Sequence, residues 1–302
     1  MTFETVLDMV GKTPHVRVQT PESARARVYV KLEGCNPTGS VKDRAGLQMI
    51  RGKLDAGELR PGMTLLDASS GNMGCAIAYF GTLLGYATEL VASSKLTAEK
   101  KSFLVYYGAT VHQIGDFTIE GNRYCRELVE RSQPGRYCFL DQLHNWDNPR
   151  ASYQTLGPEI LADFPDVAMV VGSLGSGGSL LGTAQFLKAH RPRVKIVAVQ
   201  AARGTRLPGT GSFDDGDYVT PFIRKGIDER VFDHIVKIHE RDAAGRTVLL
   251  KSQGLFCGLQ TGGVLHAALA SVADLEVDGD VVIISGDSGW KNMDKLMHLP
   301  RA

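Results

Sequence analysis

In "NPTGSVKDR", residues 36–44, a lysine stands one residue past the expected start of a helix. Ser40, followed three residues later by Asp43, resembles a capping box with Asp in place of Glu, so Val41 is the first helical residue and Lys42 lies in the first turn. The positive end of a helix disfavours an ammonium, which suits an amine meant to act as a neutral nucleophile or to form an imine. The other reading is a surface lysine held in water, where the dipole effect is worth about a few tenths of a kcal/mol.

Three more turns gather polar groups between a strand pattern and a helix pattern. "DASSGNMG" (67–74) offers Ser69, Ser70 and Asn72 beside free backbone N–H groups, a fitting place for a carboxylate or phosphate. A capped turn whose glycines allow tight packing explains the same residues equally well. "GSLGSGGSLLG" (172–182) combines Gly175, Gly177 and Gly178 with Ser176 and Ser179 ahead of a helix. No G-K-[ST] follows, and Leu180 occupies the place of the last glycine of G-x-G-x-x-G, so neither a nucleotide P-loop nor a dinucleotide fingerprint is met. A phosphate cradle without its own cation fits a small phosphorylated cofactor. "CGLQTGG" (257–263) opens another helix with Gln260 and Thr261, each able to donate to a heteroatom.

The elements that would position these turns follow from periodicity. Short apolar runs at 28–33, 64–69, 88–93, 110–115, 167–173, 195–200, 234–238 and 280–286 alternate with helical patterns over most of the chain. Such alternation predicts parallel sheets covered on both faces, where ligands meet the carboxyl ends of strands. The 302 residues fit two domains, with a division expected near 145–152. Residues 201–232 are the least periodic and read as a long loop of the functional or mobile kind. Lys plus Arg number 34 against 33 Asp plus Glu, a balance that invites neither nucleic acid nor an anionic membrane. The five cysteines are scattered without a C-x-x-C pair, so free thiols are expected and no metal site is. With no membrane-spanning apolar run and no signal-peptide pattern at the start, a cytoplasmic protein is expected.

In this order the turns resemble the cysteine synthase family, β-family pyridoxal-phosphate enzymes of fold type II. "KLEGCNPTGSVKDR" (31–44) is similar to the family's lysine motif, and "GKTPHVRV" (11–18) to its opening G-N-T-P segment. "SSGNMG" (69–74) resembles T-S-G-N-T-G, "DQLHNWDNP" (141–149) resembles Q-F-x-N-x-x-N-P, and "LGPEI" (156–160) resembles T-G-P-E-I. "GSGGS" (175–179) resembles the phosphate loop G-T-G-G-T, and "CGLQTGG" lies where the family has A-G-I-S-S-G. The Trp290–Lys291 pair of "GDSGWKNM" (286–293) is most similar to the branch using O-phosphoserine and a sulfur-carrier protein.

The resemblance implies two three-layer α/β domains of the tryptophan synthase β type. They would span 1–149 and 150–302, with residues 1–35 able to pack with the C-terminal domain and a segment near 85–130 closing over substrate. Lys42 would carry pyridoxal 5'-phosphate and act as base at the substrate Cα. Asn72 would hydrogen-bond the ring hydroxyl, Gly175, Ser176, Gly177, Gly178 and Ser179 would hold the phosphate, and Gln260, or alternatively Thr261, would meet the ring nitrogen. Ser69, Ser70, Asn72 and Gln142 would hold the amino-acid carboxylate, with Met73 beside the substrate. The implied reaction is β-replacement on O-acetyl- or O-phospho-L-serine through an aminoacrylate, giving L-cysteine or another β-substituted alanine in a homodimer. A lyase releasing pyruvate and ammonia, or a silent binding paralogue, are the alternatives. The chain departs from the family pattern at Met73 and Gln260, at Ser152 where relatives often have histidine, and at Asn292 where they have tyrosine.

Overall fold

The computed structural model describes residues 2–20, 26–69 and 71–299. Among them, strands run in the order β1 (His15–Val18), β2 (Ala26–Leu32), β3 (Thr64–Ala68), β4 (Ala87–Ala92) and β5 (Thr110–Gln113), followed by β6 (Tyr137–Phe139), β7 (Met169–Ser173), β8 (Lys195–Ala201), β9 (His234–Ile238) and β10 (Gly279–Ser285). They form one sheet of order β1-β2-β10-β7-β8-β9 and another of order β5-β4-β3-β6. All pairs are parallel except β1 with β2. The chain divides accordingly into a first unit, 1–41 with 151–302, and a second unit, 42–150.

In the first unit alternate strand residues serve opposite faces. Val281 and Ile283 of β10 join a core with Val28 and Val30, whereas Val282 and Ile284 join one with Leu180, Leu181 and Phe222. A sheet buried on both faces explains the near-continuous apolar strands of the sequence. β1 and β6 were not expected. Each is four residues or fewer, too short to establish a period of two. The 201–232 stretch is also more ordered than its composition predicts. The Thr220 hydroxyl accepts from Ile223 N at 3.3 Å, Pro221 follows, and a helix runs over Pro221–Asp228 with Phe222 and Ile223 in the core.

The approach to Lys42 is held by a buried polar network. Glu33, fully buried, accepts from the Thr13 hydroxyl at 2.6 Å and from Asn36 Nδ2 at 2.9 Å. Asn36 Oδ1 in turn accepts from Gly11 N at 2.8 Å, so "GKTP" and "LEGCNP" form a single knot. Lys31, 1 % exposed, donates to Thr13 O at 2.7 Å and pairs with Glu159 at 2.7 Å. Beyond the knot Ser40 bridges Asp287, and Val41 N donates to Gly286 O at 2.9 Å, fixing the backbone one residue before Lys42.

Truncating Lys31 leaves a carboxylate and a buried carbonyl without their cation. Lys31→Ala is expected to cost about 3–5 kcal/mol in urea unfolding. A loss below about 1 kcal/mol would contradict the network's structural role.

Candidate active site

The second unit places Lys42, Asn72, Met73, Ser69 and Gln142 on three neighbouring pieces of chain. The helix Lys42–Asp55 begins at Lys42 itself, so Val41 lies just outside it and the lysine keeps its first-turn place. This helix packs on Asn72–Leu83 through Gly46, where a Cβ would stand 2.8 Å from Ala76 Cβ. Only glycine allows that approach, and it sets the first turns of the two helices in one packed pair. Asn72 opens its helix, and Met73 is 2 % exposed.

Ser69 leaves the end of β3 and turns its hydroxyl oxygen back to accept from Gly74 N at 2.9 Å. Its own proton is still available for donation. Ser70 lies outside the described residues. Gln142 is tied to the same strand end: its Nε2 donates to Ala68 O at 2.5 Å, and its backbone N to Asp67 Oδ1 at 3.2 Å. Asn148 Nδ2 donates to Gln142 O at 2.8 Å, so the Gln142 backbone is held at both of its polar groups.

Asp67 was not anticipated from the sequence. It is fully buried, its Oδ2 has no hydrogen-bond partner among the described residues, and burial raises its carboxyl to about 8 against backbone hydrogen bonds that lower it. It is therefore a neutral acid at physiological pH, joining β3 to the turn that carries Gln142. The signal available was an acidic residue inside an otherwise apolar strand, "TLLDA".

The first unit carries the glycine loop. Gly177 caps the helix Gly178–His190 with φ +82, and a Cβ there would stand 2.5 Å from Ile223 Cγ1. A Cβ at Gly175 would stand 2.8 Å from the Gly209 carbonyl oxygen. The Thr220 hydroxyl donates to Ser176 O at 2.6 Å, anchoring the loop to the Pro221–Asp228 helix. Ser179 Oγ is buried without a hydrogen-bond partner among the described residues. An orphaned hydroxyl at a helix amino end, beside glycines that leave no room for side chains, fits the phosphate of a small cofactor.

Gln260 and Thr261 lie in the first turn of the helix Leu259–Asp274. Gln260 Nε2 donates to Gly209 O at 3.0 Å and to the Ser173 hydroxyl. Thr261 Oγ1 pairs with Ser285 Oγ at 2.9 Å, both fully buried. The supports Ser173, Gly209 and Thr220 escaped sequence reasoning because each acts through a contact distant in sequence. Asn292 and Ser152 are also buried, with the Asn292 amide and the Ser152 hydroxyl lacking hydrogen-bond partners among the described residues.

A family model described as pyridoxal-phosphate dependent enzyme matches residues 6–287. Cysteine synthase B of Pseudomonas aeruginosa is 35% identical over 303 residues, covering 99% of both chains. O-ureido-L-serine synthase of Streptomyces lavendulae is 32% identical over 93% of this chain and 88% of that protein. Among solved structures, O-acetyl serine sulfhydrylase isoform 3 of Entamoeba histolytica superposes with a TM-score of 0.89 at 27% identity, covering all of this chain and 93% of that one.

Gly177→Ala places a Cβ on a left-handed residue against Ile223, and the expected loss is about 1–3 kcal/mol in urea unfolding. An unchanged midpoint would show that the loop tolerates the side chain. Asp67 makes stability depend on pH. Its carboxyl moves from 3.8 to about 8 on folding, so across that window the unfolded chain is ionised and the folded one is not. Stability contributed by the neutral acid is full below 3.8 and lost as pH rises toward 8. Relative to wild type, Asp67→Asn should therefore gain on the order of 2–5 kcal/mol between pH 4 and pH 8.5, measured by urea unfolding at both. Parallel profiles for the two proteins would refute the neutral carboxyl.

Proposed function

Because the chain belongs to the cysteine synthase family of pyridoxal-phosphate dependent enzymes, we propose that it catalyses β-replacement on an O-activated L-serine. An acetyl- or phospho-type leaving group at Cβ is exchanged for a nucleophile, giving L-cysteine or another β-substituted alanine. The observation that carries this reading is the glycine loop with its orphaned Ser179 hydroxyl, in a chain whose lysine motif ends on the first turn of a helix. Gly175 through Ser179 would hold the cofactor phosphate, Lys42 its aldehyde carbon and Asn72 its ring hydroxyl.

Bound pyridoxal phosphate withdraws electrons from the amino acid, acidifying its Cα proton and labilising the group at Cβ. The protein's share is positioning and proton transfer. The Lys42 amine takes the Cα proton as general base and is the only residue assigned to that role. Ser69, with a proton left to give, and the N–H groups at the start of the Asn72–Leu83 helix would receive the substrate carboxylate. Gln142 would bind there too, its amide already aimed at the Ala68 carbonyl beside Ser69. Met73 removes a hydroxyl donor from this loop and adds a buried apolar wall, which favours a nucleophile other than one needing that hydrogen bond.

On the same reading the enzyme is a cytoplasmic homodimer. Trp290, 72 % exposed and edge-on to Phe256 at 4.9 Å, gives a sulfur-carrier protein an aromatic contact, and such a carrier is the proposed donor where the nucleophile is sulfur.

The purified protein is expected to be yellow, and Lys42→Ala to lose that absorbance together with activity. Mixing either serine ester with sulfide, a thiocarboxylate or small amines, read by mass spectrometry, should give a β-substituted alanine with at least one nucleophile. Pyruvate as the sole product, whatever nucleophile is supplied, would make the protein a lyase. A colourless chain that takes up no cofactor would reject the reading altogether.

A further inference from the structure

The two ends of the Gln260 amide face different neighbours. Its nitrogen gives one hydrogen to Gly209 O at 3.0 Å and the other to the Ser173 hydroxyl. An amide nitrogen has no third hydrogen to donate. Turning the amide over would set Oε1 against the Gly209 carbonyl, acceptor against acceptor, so that neighbour fixes the orientation. Oε1 is then the only capacity left, and it accepts no hydrogen bond among the described residues. It lies over Gly286, where a Cβ would stand 1.5 Å from it.

The amide is also close to the glycine loop. The Gly209 carbonyl that receives Nε2 would touch a Cβ at Gly175 at 2.8 Å, so a single peptide group separates loop and amide. A cofactor whose phosphate was held by the loop would therefore have Gln260 as a neighbour. Thr261 offers no competing contact, because its hydroxyl is paired with Ser285 and both are fully buried.

We propose that Gln260 meets the pyridoxal-phosphate ring through Oε1 and thereby selects the form in which the ring nitrogen carries a proton. This rests on the cofactor reading above, with the nitrogen edge turned toward the Leu259–Asp274 helix. An unprotonated pyridine nitrogen has only a lone pair to present, and a lone pair facing Oε1 is repelled. A protonated nitrogen donates to the same oxygen. A serine hydroxyl at this place would do the opposite and donate to the unprotonated ring. The reversal gives this chain a stronger electron sink, because a positively charged ring withdraws more from the bound amino acid.

The test is the ring nitrogen itself. Holoenzyme reconstituted with cofactor labelled with 15N in the ring is read by NMR. Wild type should show the pyridinium resonance, and Gln260→Ser should lose it in favour of the unprotonated pyridine. An unprotonated nitrogen in wild type overturns the proposal without any variant. So does a pyridinium signal that persists unchanged in Gln260→Ser. A chain that takes up no cofactor fails earlier, by absorbance, and sinks the parent reading and this proposal together.

Discussion

A carboxylate with no access to water underlies the geometry of the lysine turn. Glu33 is fully buried, and an unpaired charge there would cost several kcal/mol, on the order of the stability of a whole domain. The Thr13 hydroxyl and the Asn36 amide donate to it, which offsets part of that cost and fastens two stretches about twenty residues apart. Gly11 is thereby tied to Asn36, and the stretch after Asn36 ends on the hydrogen bond from Val41 N to Gly286 O. The small residues of "NPTGSV" follow from this: Gly39 has φ +87, and a Cβ there would stand 3.3 Å from the Ser288 hydroxyl. The network thus fixes the backbone up to Val41, the residue before Lys42.

The second unit solves the same problem by a different route. Asp67 is as buried as Glu33, but among the described residues no side chain donates to it, and burial pushes its carboxyl up, toward the protonated form. A neutral acid still accepts from the Gln142 backbone without the desolvation cost of a charge. One buried carboxyl is met by side-chain donors and the other is held toward its protonated form, and each fastens the turn beside it.

Much of this was legible in the sequence, for definite reasons. The parallel strands announced themselves because burial on both faces makes them apolar throughout, and β7, β8 and β10 were located within two residues. The glycine loop was legible because Gly175, Gly177 and Gly178 crowd ahead of a helix, and a left-handed residue at 177 demands one of them. The short strands β1 and β6 left no period to read. The Pro221–Asp228 helix did leave a signal, Thr220 followed by Pro221, but it was outweighed by the glycines around it. Ser173 and Gly209 were beyond reach, since what each does is defined by a partner more than fifty residues away, whereas Asp67 left a signal as an acid inside an apolar strand.

Gln260 is one of the positions where this chain departs from the family pattern, and its surroundings are fitted to it. Its oxygen occupies the space of a side chain at Gly286, and its nitrogen stands 3.1 Å from where a Cβ at Gly209 would be. Alanine at 286 would collide with the amide, and at 209 it would also strain a backbone with φ +72. A glutamine here is therefore compatible only with glycine at 286, and Gly209 must leave its carbonyl turned inward. The glutamine ties its helix once to the long 201–232 segment, at Gly209, and once to the end of β7, at Ser173, and with both amide hydrogens so used it has no donor left for a ring nitrogen. The hydrogen bond that holds the loop at Gly209 and the one to Ser173 together reverse the polarity of the group offered to the cofactor. Loop order and ring electronics are bound together in one side chain.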